Sequence, residues 1–206
     1  MMKRVFLASA LSFLSGAITV PQAHAEVALT ASQQTIVHHI EDTLSQTESF
    51  QARFEQVSSA DRQTSRGTVL VARPGRMRFT YDAPSPLSVV ANDGRMVFQD
   101  TSIDQVTTMP LDRTPLGLLL RPHPHFSGDV TIIGYHQQKG QIELHVVRTE
   151  SPSEGELTLF FTAHPLALQG WNVVDAQGRQ TRIRLSEVKT GVPIDAKEFA
   201  LPKDDD

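Results

Sequence analysis

The chain has 206 residues, 39% of them hydrophobic and 20% charged, the make-up of one ordinary folded domain and not of a disordered segment. It contains no cysteine, which excludes disulfide support, thiol chemistry and acylation at a lipobox cysteine. A formal net charge of −4 weighs against nucleic acid or an anionic membrane surface as a resident partner.

In chain order, Met1-Met2-Lys3-Arg4 precedes an apolar run over 5–14 and a small-x-small site at Ala23-His24-Ala25. This is the layout of a cleavable secretory signal over residues 1–25. The run is too short to cross a hydrocarbon core of about 30 Å comfortably, and no later stretch reaches the roughly 18 apolar residues of a membrane helix. The expectation is one exported, soluble domain over 26–206, made more acidic by the loss of Lys3 and Arg4.

Residues 30–46 place Ile36, Val37, Ile40 and Leu44 at helical spacing, with Glu41, Asp42 and Gln46 between them, which predicts an amphipathic helix. From Phe50 the period becomes two: Phe50, Ala52 and Phe54 alternate with polar residues, as do Met77, Phe79 and Tyr81. Turn signals such as Arg73-Pro74-Gly75, Asn92-Asp93-Gly94 and Asp175-Ala176-Gln177-Gly178 then recur at short intervals. About eleven strand-like runs lie between them, near 50–58, 66–72, 76–82, 87–92, 95–100, 104–109, 129–135, 140–147, 155–162, 166–174 and 180–188. Short connections imply an antiparallel meander. The run 114–120 interrupts it with Thr at an N-cap position, Pro at N1 and a continuous apolar segment, the signature of a short helix that is hydrophobic nearly all round. The pattern leaves two packings open: a sandwich with a filled interior, or one strongly curved sheet with the helices across its open face.

Five stretches carry a family resemblance. Phe50-Gln51-Ala52-Arg53-Phe54-Glu55-Gln56 is followed by 67–81 with Ala72-Arg73-Pro74-Gly75, then Val89-Val90-Ala91-Asn92-Asp93-Gly94, Thr114-Pro115-Leu116-Gly117-Leu118-Leu119-Leu120 and 175–183. In order and spacing the chain resembles the outer-membrane lipoprotein carrier family, LolA. The resemblance implies a mainly β fold, an unclosed antiparallel β-barrel of about eleven strands with a helical lid. It also implies a monomeric periplasmic chaperone, not an enzyme, without a cofactor. Its partners would be lipoprotein acyl chains, an inner-membrane lipoprotein-releasing ABC transporter and, where one exists, an outer-membrane lipoprotein acceptor. Arg73 falls on the family arginine that bonds to the lid backbone and holds the empty carrier closed, with Leu119 as its counterpart. Leu44 falls on a cavity-facing helix position, and Met77 on a sheet position that is often aromatic in relatives. Phe54, Phe79, Phe98, Leu116 and Leu118 complete the expected acyl-chain cavity, with ordinary sheet packing as the alternative reading of the three phenylalanines.

Other chemistries find little support. An arginine before Pro-Gly is, without the family pattern, an ordinary solvated hairpin charge. Adjacent His38 and His39 point about 100° apart on a helix, and no spacing completes a metal site with His123 and His125. There is no G-x-S-x-G elbow and no P-loop, and Glu154 and Glu156 flank a glycine turn where solvated carboxylates are expected. The rival reading is a lipid- or lipoprotein-sensing regulatory domain built on the same kind of curved sheet.

Overall fold

A computed structural model describes residues 26–59 and 63–202; the predicted signal over 1–25 lies outside the described residues. Helix α1 (Ala31–Gln46) starts where Thr30 closes a capping box. The Thr30 N–H donates to Gln33 Oε1 at 2.8 Å, and Thr30 Oγ1 accepts from the Gln33 N–H at 3.4 Å. Both donors would otherwise lack a partner inside the helix. The stripe of Val37, Ile40 and Leu44 is buried, and the helix ends with the Thr47 N–H bonded back to Thr43 O.

Eleven strands follow: β1 (Ser49–Ser58), β2 (Thr64–Ala72), β3 (Arg76–Tyr81), β4 (Leu87–Asn92), β5 (Arg95–Asp100), β6 (Gln105–Pro110), β7 (Val130–Gln138), β8 (Gln141–Arg148), β9 (Gly155–Ala163), β10 (Leu166–Asp175) and β11 (Gln180–Thr190). They form one antiparallel sheet in the order β6-β5-β4-β3-β2-β1-β11-β10-β9-β8-β7. The first and last strands therefore meet in the middle, from Phe50 opposite Thr190 to Ser58 opposite Thr181. The sheet stays open between β6 and β7, and the chain between these edges carries the short helix α2 (Pro115–Leu119).

Of the two packings, the curved sheet is the one adopted. Phe79 on β3 and Trp171 on β10 are four strand spacings apart, about 19 Å in a flat sheet. Their ring centroids nevertheless lie 6.2 Å apart. Register shifts help the curl, one between Gln51 and Arg53, one between Leu168 and Gly170 and one between Ile132 and Gly134. Gly170, at φ +150°, lets β10 approach β11 so closely that a Cβ would sit 2.1 Å from Ile183 O.

Alternate residues of the strands fill the concave face: Phe50, Ala52 and Phe54 from β1, Met77, Phe79 and Tyr81 from β3, Leu157, Leu159 and Phe161 from β9. Val37, Ile40 and Leu44 from α1, and Leu118 and Leu119 from α2, belong to the same buried cluster. A separate contact covers the convex face. The 3₁₀ turn Ala196–Phe199 packs on β3 and β4. Phe199 is fully buried there under the Arg76 guanidinium, 5.6 Å from its ring, and Arg78 Nη1 donates to Glu198 O at 3.1 Å. Alternation in β1–β11 gave no indication of this turn.

Candidate functional site

Arg73 leaves the end of β2 and runs between the C-terminal ends of both helices. It is only 7% exposed. Its Nε donates to Leu119 O of α2 at 3.0 Å, and its Nη1 donates to Thr47 O at the end of α1. Carbonyls at a helix end have no acceptor duty inside the helix and carry partial negative charge, so one guanidinium serves both ends. The adjoining backbone repeats the connection: the Arg73 N–H donates to Glu48 O at 2.7 Å, and the Gly75 N–H donates to Leu120 O at 2.9 Å. Burial pushes the guanidinium down to about 10. It is still a cation at neutral pH. Its Nη2 has no hydrogen-bond partner among the described residues.

Helix α2 is short, so its ends decide its stability. Thr114, itself buried, accepts from the Gly117 N–H at 3.2 Å and donates to Leu111 O at 2.8 Å, and Pro115 takes the N1 position. Gly117 sits against the preceding turn so tightly that a Cβ would lie 2.3 Å from Leu111 O. Downstream, Glu41 Oε1 on α1 accepts from the Phe126 N–H at 2.6 Å, which ties the segment after α2 to the first helix. The Arg121 guanidinium takes both carboxylate oxygens of Asp129, at 3.0 and 2.5 Å, and holds that carboxyl below the usual range.

The structure divides the residues expected to line an acyl-chain cavity. Leu44 walls a cavity of about 290 Å³ together with Arg73, Phe50, Leu168 and Leu185. Phe54, Met77, Phe79 and Leu118 are buried in the shared core, and Phe98 and Leu116 lie half-buried against it. Phe54 and Phe79 pack edge to face at 4.8 Å. With the helices in place, those side chains make core contacts. A wider cleft of about 600 Å³ lies beside α1, between residues 26–29 and 125–127.

Sequence reasoning missed three contributors. Thr47 became an acceptor for Arg73 only through tertiary placement. Trp171 and Leu168 both face inward because the Gly170 bulge shifts the parity of β10, so simple alternation cannot assign both. Glu156 corrects an expectation, since it is half-buried and pairs with His145 Nδ1 at 2.8 Å on the convex face.

Residues 45–202 match the family model described as outer membrane lipoprotein carrier protein LolA. The chain is 28% identical over 176 residues to an outer-membrane lipoprotein carrier protein of Methylococcus capsulatus, covering 82% of this chain and 84% of the relative. It is 29% identical over 182 residues to the protein of that name from Halorhodospira halophila, covering 84% of each. Among solved structures, a LolA superfamily protein from Nitrosomonas europaea aligns over 84% of this chain and 99% of its own, at 13% identity and a TM-score of 0.47.

Proposed function

The chain belongs to the LolA family of outer membrane lipoprotein carrier proteins, and from that premise we propose that it is a periplasmic lipoprotein chaperone. It takes lipoproteins released from the inner membrane by an ABC transporter, shields their acyl chains against the concave face of the sheet, and delivers them to the outer membrane or an acceptor there. Arg73 and Leu119 are the lid-closing pair. Leu44, Phe54, Met77, Phe79, Phe98, Leu116 and Leu118 become the acyl-chain surface once the helices lift. The family is one of carriers, and no turnover of lipid enters this reading.

The observation that carries the proposal is the double attachment of Arg73. Its guanidinium fastens α1 and α2 over an apolar concavity at their C-terminal ends. Three acyl chains of about forty CH₂ groups, at about 0.8 kcal/mol each, would contribute roughly 30 kcal/mol if fully buried. Noncovalent affinities saturate near 18–21 kcal/mol. A carrier that lets go must therefore shield its cargo incompletely or oppose uptake with a cost of opening. The closed protein offers about 290 Å³ beside Leu44, the low end of what a single small ligand needs. Uptake thus requires the helices to move and the Arg73 bonds to break. Each bond to a charged donor contributes about 1.5–3 kcal/mol, so reclosure helps expel the cargo.

The test is release. Purified 26–206 is added to spheroplasts making a labelled lipoprotein. The expected result is a soluble one-to-one complex that passes its label to outer membranes. Arg73→Leu is expected to accept label and hold it. Normal onward transfer by Arg73→Leu would exclude the lid mechanism. Absence of release, with a stable protein partner in its place, would favour a sensing domain.

A further inference from the structure

Helix α1 rests on the core through one buried stripe, Val37, Ile40 and Leu44. Clefts run along both of its flanks, one of about 600 Å³ past Gln34, His38 and Glu41, the other of about 310 Å³ past Ile36 and His39. A helix seated this way can lift as a body. The limb that carries α2 continues through Arg121-Pro122-His123-Pro124-His125, where the prolines lack N–H donors and favour stiff, extended backbone. Among the described residues, the bond from the Phe126 N–H to Glu41 Oε1 at 2.6 Å is the one hydrogen bond that residues 122–126 make to a helix or strand. An ionised acceptor makes the stronger kind of hydrogen bond. Water competes little for it, because Phe126 is 6% exposed and the Glu41 side chain 19%. His38 Nδ1 pairs with the other carboxylate oxygen, Oε2, at 3.0 Å and leaves Oε1 to the limb.

Helix α1 is therefore tied to the α2 limb twice. One tie is the Arg73 guanidinium at Thr47 O, and the other, through Glu41, lies about 9 Å farther up the helix. Only the first reaches the sheet, since Arg73 follows β2, whereas both partners of the second belong to the lid. We propose that Glu41 is the positioning residue that makes the two helices one lid: when Arg73 lets go, α1 and residues 114–126 lift together, held side by side by the Phe126 bond. The use of this coupling in carrying cargo rests on the reading above, whereas the coupling itself does not. A lid that stays whole presents Val37, Ile40, Leu44, Leu118 and Leu119 to a ligand as one apolar surface, and helices released singly would present two.

The chain has no cysteine, so pairs of spin labels can be placed on 26–206 and their separations read by pulsed electron resonance, without cargo. His39→Cys with His123→Cys reports α1 against the limb, and His39→Cys with Gln177→Cys reports α1 against the sheet. Glu150→Cys with Gln177→Cys checks that the sheet is intact; all four positions are exposed. In Arg73→Leu the α1–sheet distribution is expected to lengthen and broaden while the α1–limb distribution keeps its wild-type mean and width. Adding Glu41→Leu should at least double the α1–limb width. Glu41→Gln in its place should not, since the amide oxygen still accepts from the Phe126 N–H. An α1–limb distribution that broadens in Arg73→Leu, stays narrow in Arg73→Leu/Glu41→Leu, or broadens with Glu41→Gln overturns the proposal. If the sheet pair changes in the Glu41→Leu double variant, Arg73→Leu alone still decides, because separate motion of the helices there is enough to overturn it. The expected distances in a protein that releases no lipoprotein from spheroplasts would count against the carrier reading and leave the coupling standing.

Discussion

Arg73 is held by two opposing effects of similar size. Burial lowers its ionisation from the ordinary arginine value to about 10, on the order of 3 kcal/mol against folding with the charge in place. Its bonds to Leu119 O and Thr47 O offset this, and without Arg73 both carbonyls lose a donor at about 1–3 kcal/mol each. Arg73→Leu removes both effects together. Its urea midpoint should therefore correspond to a stability within about 2 kcal/mol of wild type, which makes any retention of cargo a lid effect and not a folding defect. The linkage sign follows from the depressed value. The folded protein binds fewer protons between about 10 and the ordinary arginine value, so stability rises with pH only there, and below about 10 the burial cost is constant. Cargo retention that depends on Arg73 should accordingly be flat from pH 6 to pH 9 in a release assay; a step in that range would assign the tie to another group. At this scale the sequence was legible only through the family pattern around Ala72-Arg73-Pro74-Gly75. An arginine beside a turn reads as solvated by local rules, and its burial depends on where two helix ends come to rest.

Helix α2 tests the lid as an element. Thr114 both caps it and anchors it to Leu111, so Thr114→Val keeps the shape and leaves the cap unmade. Stability should fall by about 1–2 kcal/mol, with faster hydrogen exchange over 114–120 than in the strands. Gly117→Ala acts differently, since the added methyl meets backbone at Leu111 O and the helix must shift as a body. The variant should expose the concave face without unfolding the sheet, seen as dye binding with an unchanged β spectrum. Elements were the most legible level of this chain. Alternation located every strand to within a few residues, and Thr-Pro ahead of an apolar run located α2. Failures cluster where the backbone leaves its period, as at the Gly170 bulge, because a single extra residue reverses which side chains face inward.

For the whole molecule, periodicity left the choice between sandwich and cup open, since both need the same inward positions. Pairing between the chain's first and last strands decides it, and that contact is written in no local stretch. Nor did any local stretch reveal the Ala196–Phe199 turn, which packs on β3 and β4 on the side away from the core. Phe199→Ala should lower stability by about 3–5 kcal/mol, as for other large buried aromatics, while leaving the concave face untouched; a shift under about 1 kcal/mol in urea unfolding would show the turn to be dispensable. The meeting of β1 and β11 also has a mechanical consequence. It acts as the spine of a book whose covers, β2–β6 on one side and β7–β10 on the other, are free to spread at the fore-edge between β6 and β7. Spreading there breaks no ladder hydrogen bond, so the gap between the two edges can widen while every strand keeps its partner.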